Sequence, residues 1–284
     1  ALSPEKLALL ALEYPGKRGV IEMVPRGVVG IIAPWNYPFG NFIKHLIPAL
    51  LAGNGLVLKP SEHTPRTGAF LQEICDETLP KGLVNLVQGD GRVGAWLLES
   101  GIDAITFTGS VPTGKKVAAR AGELLIPASV ELGGKDAAIV LADCNLGRTA
   151  LGIAQWGMHN CGQNCAGIER VYVEESIADA FVKKLGAIVG KLRVAPVKSS
   201  DIGPLQNQNQ LKIVEAHVSS AQEQGATLVT GGAPTGSGFG YHPTVLDHCT
   251  AEMTVVSEET FGPVLAIIRV ADAEEAIKQA NASG

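Results

Sequence analysis

Residues 104–122, AITFTGSVPTGKKVAARAG, decide the fold. Ala104–Phe107 reads as a strand, Thr108-Gly109-Ser110 as a turn, and a helix is expected from about Pro112 to Gly122. A strand, a glycine turn and a helix start point backbone N–H groups and the positive helix end at one spot, which suits a phosphate or pyrophosphate. The other reading leaves Gly109 and Gly114 as ordinary turn and packing glycines. Gly109–Lys115 also fits G-x-x-x-x-G-K, but a nucleotide-hydrolase loop then needs Ser or Thr to hold magnesium. Position 116 is Lys, and no second acidic motif supports that match. The dinucleotide fingerprint G-x-G-x-x-G is absent.

The same alternation extends outward on both sides. Strands are expected at 27–32, 55–58 and 84–87, and helices at 65–79 and 94–99. Two further strand-like runs, 129–132 and 137–141, are split by Gly133-Gly134. Repeated βα units predict a doubly wound parallel sheet, with ligands at the carboxyl ends of its strands. The second half is looser. Helices are expected at 146–160, 177–192 and 205–224, strands at 170–174, 241–246 and 263–270, and an amphipathic helix at 273–282. Residues 231–240 (GGAPTGSGFG) read as a flexible surface loop, since no helix follows them. The fold class is therefore α/β: a dinucleotide-binding, Rossmann-like lobe at 1–140 and a second α/β lobe with catalytic residues at 141–284.

Composition narrows the partners. Hydrophobic residues make up 46% of the 284 and charged residues 18%, a globular balance. The formal net charge is −5, whereas chains that read nucleic acid are usually basic, so no nucleic acid is expected. No apolar run approaches the ~20 residues that span a bilayer, so no membrane partner is expected. The five cysteines are odd in number and scattered, which suggests reduced thiols and a cytoplasmic location. The chain starts at Ala1 and its last helix stops at Ser283-Gly284, so a fragment lacking both ends is expected.

Four short stretches carry polar residues at element ends: Asn36 in PWNYP, Lys59 and Glu62 in KPSE, Glu131 in ELGGK, and Cys165 in GQNC. In an α/β sheet such ends converge. An amide, a carboxylate and a thiol are the parts of a thiol-dependent acyl chemistry, in which the thiol attacks, the amide supports an oxyanion and the carboxylate moves a proton. Each residue alone has a plainer reading. Cys165 could be a buried structural cysteine, Glu131 an ion-pair partner, Asn36 a turn residue and KPSE a strand-ending turn. Zinc on His159, Cys161 and Cys165 would lack a fourth ligand and an orderly spacing, so no metal site is expected. Cys161 has no role in this scheme. If residues 161–165 kept helical spacing, the two sulfurs would share a face and oxidation could join them.

PWNYPF, KPSE, FTGS, VELGGK, GQNC and EETFGPV, in this order from about Arg18 onward, resemble the aldehyde dehydrogenase superfamily. The resemblance implies Cys165 as nucleophile, Glu131 as general base and Asn36 as the amide that holds the oxyanion. It implies Lys59 and Glu62 at the adenosine ribose, Gly109 and Ser110 at the pyrophosphate, and Glu259 and Phe261 around the nicotinamide ribose. The expected reaction is oxidation of an aldehyde, a small-molecule substrate, to a carboxylic acid, with hydride transfer to NAD(P) through a Cys thiohemiacetal and thioester. Glu62 would repel a 2′-phosphate, which favours NAD over NADP, while KPSE-type members accept both. Glu131 favours hydrolysis of the thioester over its transfer to coenzyme A. The full-length parent is expected to be a homo-oligomer. The alternative is a catalytically silent fragment that binds dinucleotide or a partner chain.

Overall fold

The computed structural model describes residues 3–8, 13–195 and 199–282. The chain divides into two units, Ala1–Leu132 and Gly133–Gly284. The division falls ahead of the expected boundary near residue 140, because the strand at 137–140 hydrogen-bonds into the second sheet.

The first unit begins with an antiparallel ribbon, β1 (Glu5–Leu7) with β2 (Gly19–Ile21). There follow β3 (Val28–Ile32), α1 (Pro38–Leu51), β4 (Gly55–Lys59), α2 (Pro65–Thr78), β5 (Val84–Leu86), α3 (Gly91–Glu99), β6 (Ala104–Gly109), α4 (Val111–Glu123) and β7 (Ala128–Leu132). The last five strands form a parallel sheet in the order β5-β4-β3-β6-β7. Successive residues of a strand point to opposite faces, and both faces here are apolar. Val29 and Ile31 pack with Phe42, Leu46 and Leu71 of α1 and α2. On the other face Ile105 and Phe107 pack with Leu97, Leu98 and Val117 of α3 and α4. Gly114 lets α4 lie close to β7, since a Cβ there would sit 2.3 Å from Leu132 Cδ2. Helix α1 is one element the sequence pattern did not anticipate. Its two prolines and a glycine look like breakers, yet Pro38 occupies the first turn, where a missing N–H costs nothing.

The second unit contains β8 (Ala137–Val140), α5 (Leu146–Met158), β9 (Arg170–Glu174), α6 (Glu175–Val189), α7 (Gln208–Glu223), β10 (Thr227–Thr230), β11 (Thr244–Asp247), α8 (Thr254–Ser257), β12 (Val264–Val270) and α9 (Ala273–Ala280). Its sheet order is β10-β11-β12-β9-β8, parallel except for β10 with β11. Along β9, Val171 and Val173 face the α5 and α6 side while Tyr172 faces the α7 side. Asn145, Asn207 and Asp272 cap α5, α7 and α9, each accepting a hydrogen bond from a backbone N–H three residues on. Each such cap is worth about 1 kcal/mol. Residues 231–240 form the expected loop, closed by a bridge from Pro234 to Tyr241. Ser283-Gly284 lie outside the described residues.

The expected helix at 146–160 ends at Met158. A single tight turn, His159–Gly162, follows, and Asn160, Cys161 and Gly162 all have positive φ (52°, 59° and 70°). Only glycine fits at 162, because a Cβ there would lie 1.9 Å from the Gly262 carbonyl oxygen. The helical spacing needed to bring Cys161 and Cys165 onto one face is therefore absent.

Candidate active site

In the first unit the chain crosses the sheet in opposite directions from β3, so β3 and β6 flank the topological switch point. Ligands of doubly wound sheets sit outside the strand carboxyl ends at such a point. A cleft of ≈ 670 Å³ opens there, and Lys59, Glu62, Gly109 and Ser110 all line it, with Trp35 and Phe107 among its walls. Sequence reasoning thus selected four residues of one cleft.

Several features of this cleft fit a nucleotide. Lys59 is only 3% exposed and donates to the Pro60 carbonyl at 2.8 Å. Burial lowers its pKa, while Glu62 and Asp90 oppose the shift. Ser110 precedes α4 without capping it, since its hydroxyl bonds instead to Thr113 Oγ1 at 3.1 Å. The first N–H groups of α4 therefore remain open to an anion. Thr108 Oγ1 is buried with no hydrogen-bond partner among the described residues. An unsatisfied buried hydroxyl costs roughly 1–3 kcal/mol, a cost that a polar ligand atom in the cleft would relieve. The residues present fit a dinucleotide.

Asn36 is half-buried in the turn between β3 and α1, next to Trp35. Glu131 is exposed on the edge strand β7, paired in register with Thr108 of β6. His45 of α1 feels its charge. Burial and Lys44 lower the His45 pKa and Glu131 raises it.

Cys165 belongs to the second unit. Of the five cysteines, only Cys165 is exposed. It sits inside a turn closed by Gly167 N–H donating to the Asn164 carbonyl at 2.9 Å. Asn164 Oδ1 accepts from the Ala166 N–H at 3.2 Å. Gln163, 4% exposed, anchors the turn from below. Its amide donates to the Asn160 carbonyl at 3.0 Å and accepts from the Gln206 N–H at 2.8 Å. Cys161 is buried, and burial pushes its thiol up to about 12, so it is a packing residue.

Glu259 and Phe261 lie on the segment between α8 and β12. Gly133 makes room for the Glu259 carboxylate, since a Cβ on Gly133 would lie 2.0 Å from Oε1. Burial pushes the Glu259 carboxyl up to about 7, with repulsion from Glu169 adding to it and the Gly134 N–H opposing it. Phe261 holds φ at 51°, a left-handed conformation that is strained for any residue with a side chain.

No local sequence pattern points to what holds this segment. Glu169 accepts from the Thr260 N–H and the Phe261 N–H, each at 2.8 Å, and pairs with Lys135 Nζ. Lys135 also donates to Thr260 Oγ1 at 3.0 Å, and Gln210 donates to both the Thr260 and Phe261 carbonyls. These residues are far apart in the chain, and only the fold reveals their partnership. Among the described residues no group of His, Cys, Asp or Glu could hold a metal ion, and no helix is long and apolar enough to cross a membrane.

The chain matches the Aldehyde dehydrogenase family over residues 2–284. It is 42% identical over 262 residues to a Mycobacterium ulcerans protein with the provisional name succinate-semialdehyde dehydrogenase (NADP+) 2, covering 90% of this chain and 51% of that one. Among solved structures, lactaldehyde dehydrogenase from Escherichia coli matches with a TM-score of 0.93 and 39% identity, over 99% of this chain and 60% of that one. The NAD+ complex of an aldehyde dehydrogenase from Bacillus cereus matches with a TM-score of 0.94 and 32% identity, over 99% and 58%. The chain spans about half the length of the curated relatives it matches.

Proposed function

This chain belongs to the aldehyde dehydrogenase family, and from that premise we propose that the protein containing it oxidises an aldehyde to a carboxylic acid with NAD or NADP. The observation that carries the reading is Cys165, the one exposed thiol, presented on a tight turn braced by the buried Gln163.

Cys165 attacks the aldehyde carbonyl and forms a hemithioacetal oxyanion. The Asn36 side-chain amide and the Cys165 backbone N–H stabilise that charge, and losing one such donor costs about 3–4 kcal/mol in comparable sites. The chemistry a bound nicotinamide dinucleotide supplies is acceptance of the hydride expelled as the oxyanion collapses to a Cys165 thioester. Glu131 removes a proton from water, the water opens the thioester, and the acid leaves with the thiol restored.

Lys59, Ser110 and the open start of α4 hold the adenosine and pyrophosphate, with Thr108 Oγ1 as a further donor or acceptor. Glu259 and Phe261 hold the nicotinamide ribose. Glu62 places a carboxylate where it disfavours a 2′-phosphate, which supports NAD as the better coenzyme. NADP remains the second coenzyme in view of the mycobacterial relative's name.

The full-length protein, mixed with either coenzyme and a panel of aldehydes, should produce reduced coenzyme by absorbance and one equivalent of acid. Coenzyme binding without turnover of any aldehyde would replace this reading with that of a silent dinucleotide-binding chain.

A further inference from the structure

Glu169 is nearly inaccessible, its side chain only 3% exposed, and so is its partner Lys135 at 4%. A buried ion pair needs more than its own attraction to offset the loss of water, namely hydrogen bonds for its remaining lone pairs and protons. Here those hydrogen bonds all converge on one short segment. The two oxygens of Glu169 take the consecutive N–H groups of Thr260 and Phe261. Lys135 takes the Thr260 hydroxyl, which also meets His217 Nδ1 at 3.1 Å. Gln210 takes both carbonyls of the same pair of residues. Arg170 fixes the far end by donating from Nε to the Lys135 carbonyl at 2.7 Å. Residues 260–261 thus have each N–H and each C=O assigned to a buried side chain, and no repeating secondary structure does that work.

The geometry points to Glu169 as a positioning residue for coenzyme: by gripping two successive amides it sets the direction in which Glu259 and Phe261 present their side chains. This rests on the reading of those two residues as nicotinamide-ribose contacts. Three observations join in it. Phe261 is held in a left-handed conformation that a free segment would leave. The Glu259 carboxylate lies in the space beside Gly133, and a Cβ there would force it to move. Lys135 follows directly on Gly133-Gly134, so one ion pair ties together both sides of that space.

The test uses Glu169→Gln in the full-length protein. The amide has one acceptor oxygen and would set its NH2 against the second N–H. Coenzyme Kd by calorimetry and coenzyme KM should rise about tenfold or more, the loss expected when one contact is misplaced. Aldehyde KM and the rate of Cys165 alkylation without coenzyme should stay within about twofold of wild type. The double variant Lys135→Met/Glu169→Gln removes the buried charge and should recover the melting temperature but not coenzyme affinity. In the wild type, the Thr260 and Phe261 amides should resist hydrogen exchange. Wild-type coenzyme affinity in either folded variant, or rapid exchange of both amides, would overturn the assignment. A wild-type protein that binds no coenzyme at all would overturn the underlying reading instead.

Discussion

Gly162 and Gly262 meet backbone to backbone, so closely that a Cβ on Gly162 would lie 1.9 Å from the Gly262 carbonyl oxygen. Gly162 also holds φ at 70°, a value unfavourable for other residues. Gly162→Ala therefore meets a steric and a conformational obstacle at once, and neither neighbour is a flexible side chain. The variant should lose about 2–4 kcal/mol of stability. It should also present Cys165 less uniformly, three residues on. Chemical denaturation and the time course of Cys165 alkylation would measure both. A wild-type unfolding midpoint would show that the backbone shifts at no cost.

Cys165 carries the proposed covalent step. Cys165→Ala should cut turnover by about 10⁴-fold or more, as when a covalent nucleophile is removed. Coenzyme binding should persist, since the cleft of the first unit contains no part of residue 165. Steady-state rates together with calorimetric titration separate the two effects. Substantial turnover in the variant would exclude the thiol from the chemistry.

Glu131 enters only after reduced coenzyme has formed. Glu131→Gln should give a burst of about one reduced coenzyme per site, then a steady rate lower by roughly 10²–10⁴-fold, the usual share of a general base. Rapid-quench mass spectrometry should find the acyl group on Cys165. An undiminished steady rate would move the proton-removing role elsewhere.

Glu259 makes stability depend on pH. Its carboxyl is pushed up from 4.5 to about 7 by burial. As pH rises, the unfolded chain gives up this proton before the folded one does, so the unfolded state gains. The contribution is intact below about 4.5, declines toward about 7, and is absent above that. Glu259→Gln cannot titrate. Its melting temperature relative to wild type should therefore rise between about pH 5 and about pH 8. A difference that stays flat over this range would show that Glu259 is ionised throughout.

The strands of the first sheet were legible because β-rich runs ended in Gly, Pro and Ser clusters, and the parallel topology followed from their alternation with helices. Lys59, Glu62, Gly109 and Ser110 were legible as neighbours for the same reason, since they lie at or just past the ends of β4 and β6 and line one cleft. Helix α1 was hidden by Pro38, Gly40 and Pro48, whose local meaning depends on which helical position each occupies. The ribbon of β1 and β2 and the edge strand β10 are short and largely exposed, so they carry little hydrophobic alternation. The turn at 159–162 broke a helix that composition would have continued. Tertiary contact with Gly262, a hundred residues away, decides it. The grip of Glu169 on residues 260–261 is likewise long-range, and no local pattern encodes it.

In the second sheet, strand order in space and strand order in sequence differ. Its central strand, β12, lies between β11 and β9, yet among the described strands it comes last in sequence. A nascent chain leaving the ribosome must therefore carry β9 with one edge uncovered until residues 264–270 emerge. Gly262 arrives at the same moment, so the turn that presents Cys165 gains its support only then. Presentation of Cys165 therefore waits on a segment about a hundred residues further along the chain.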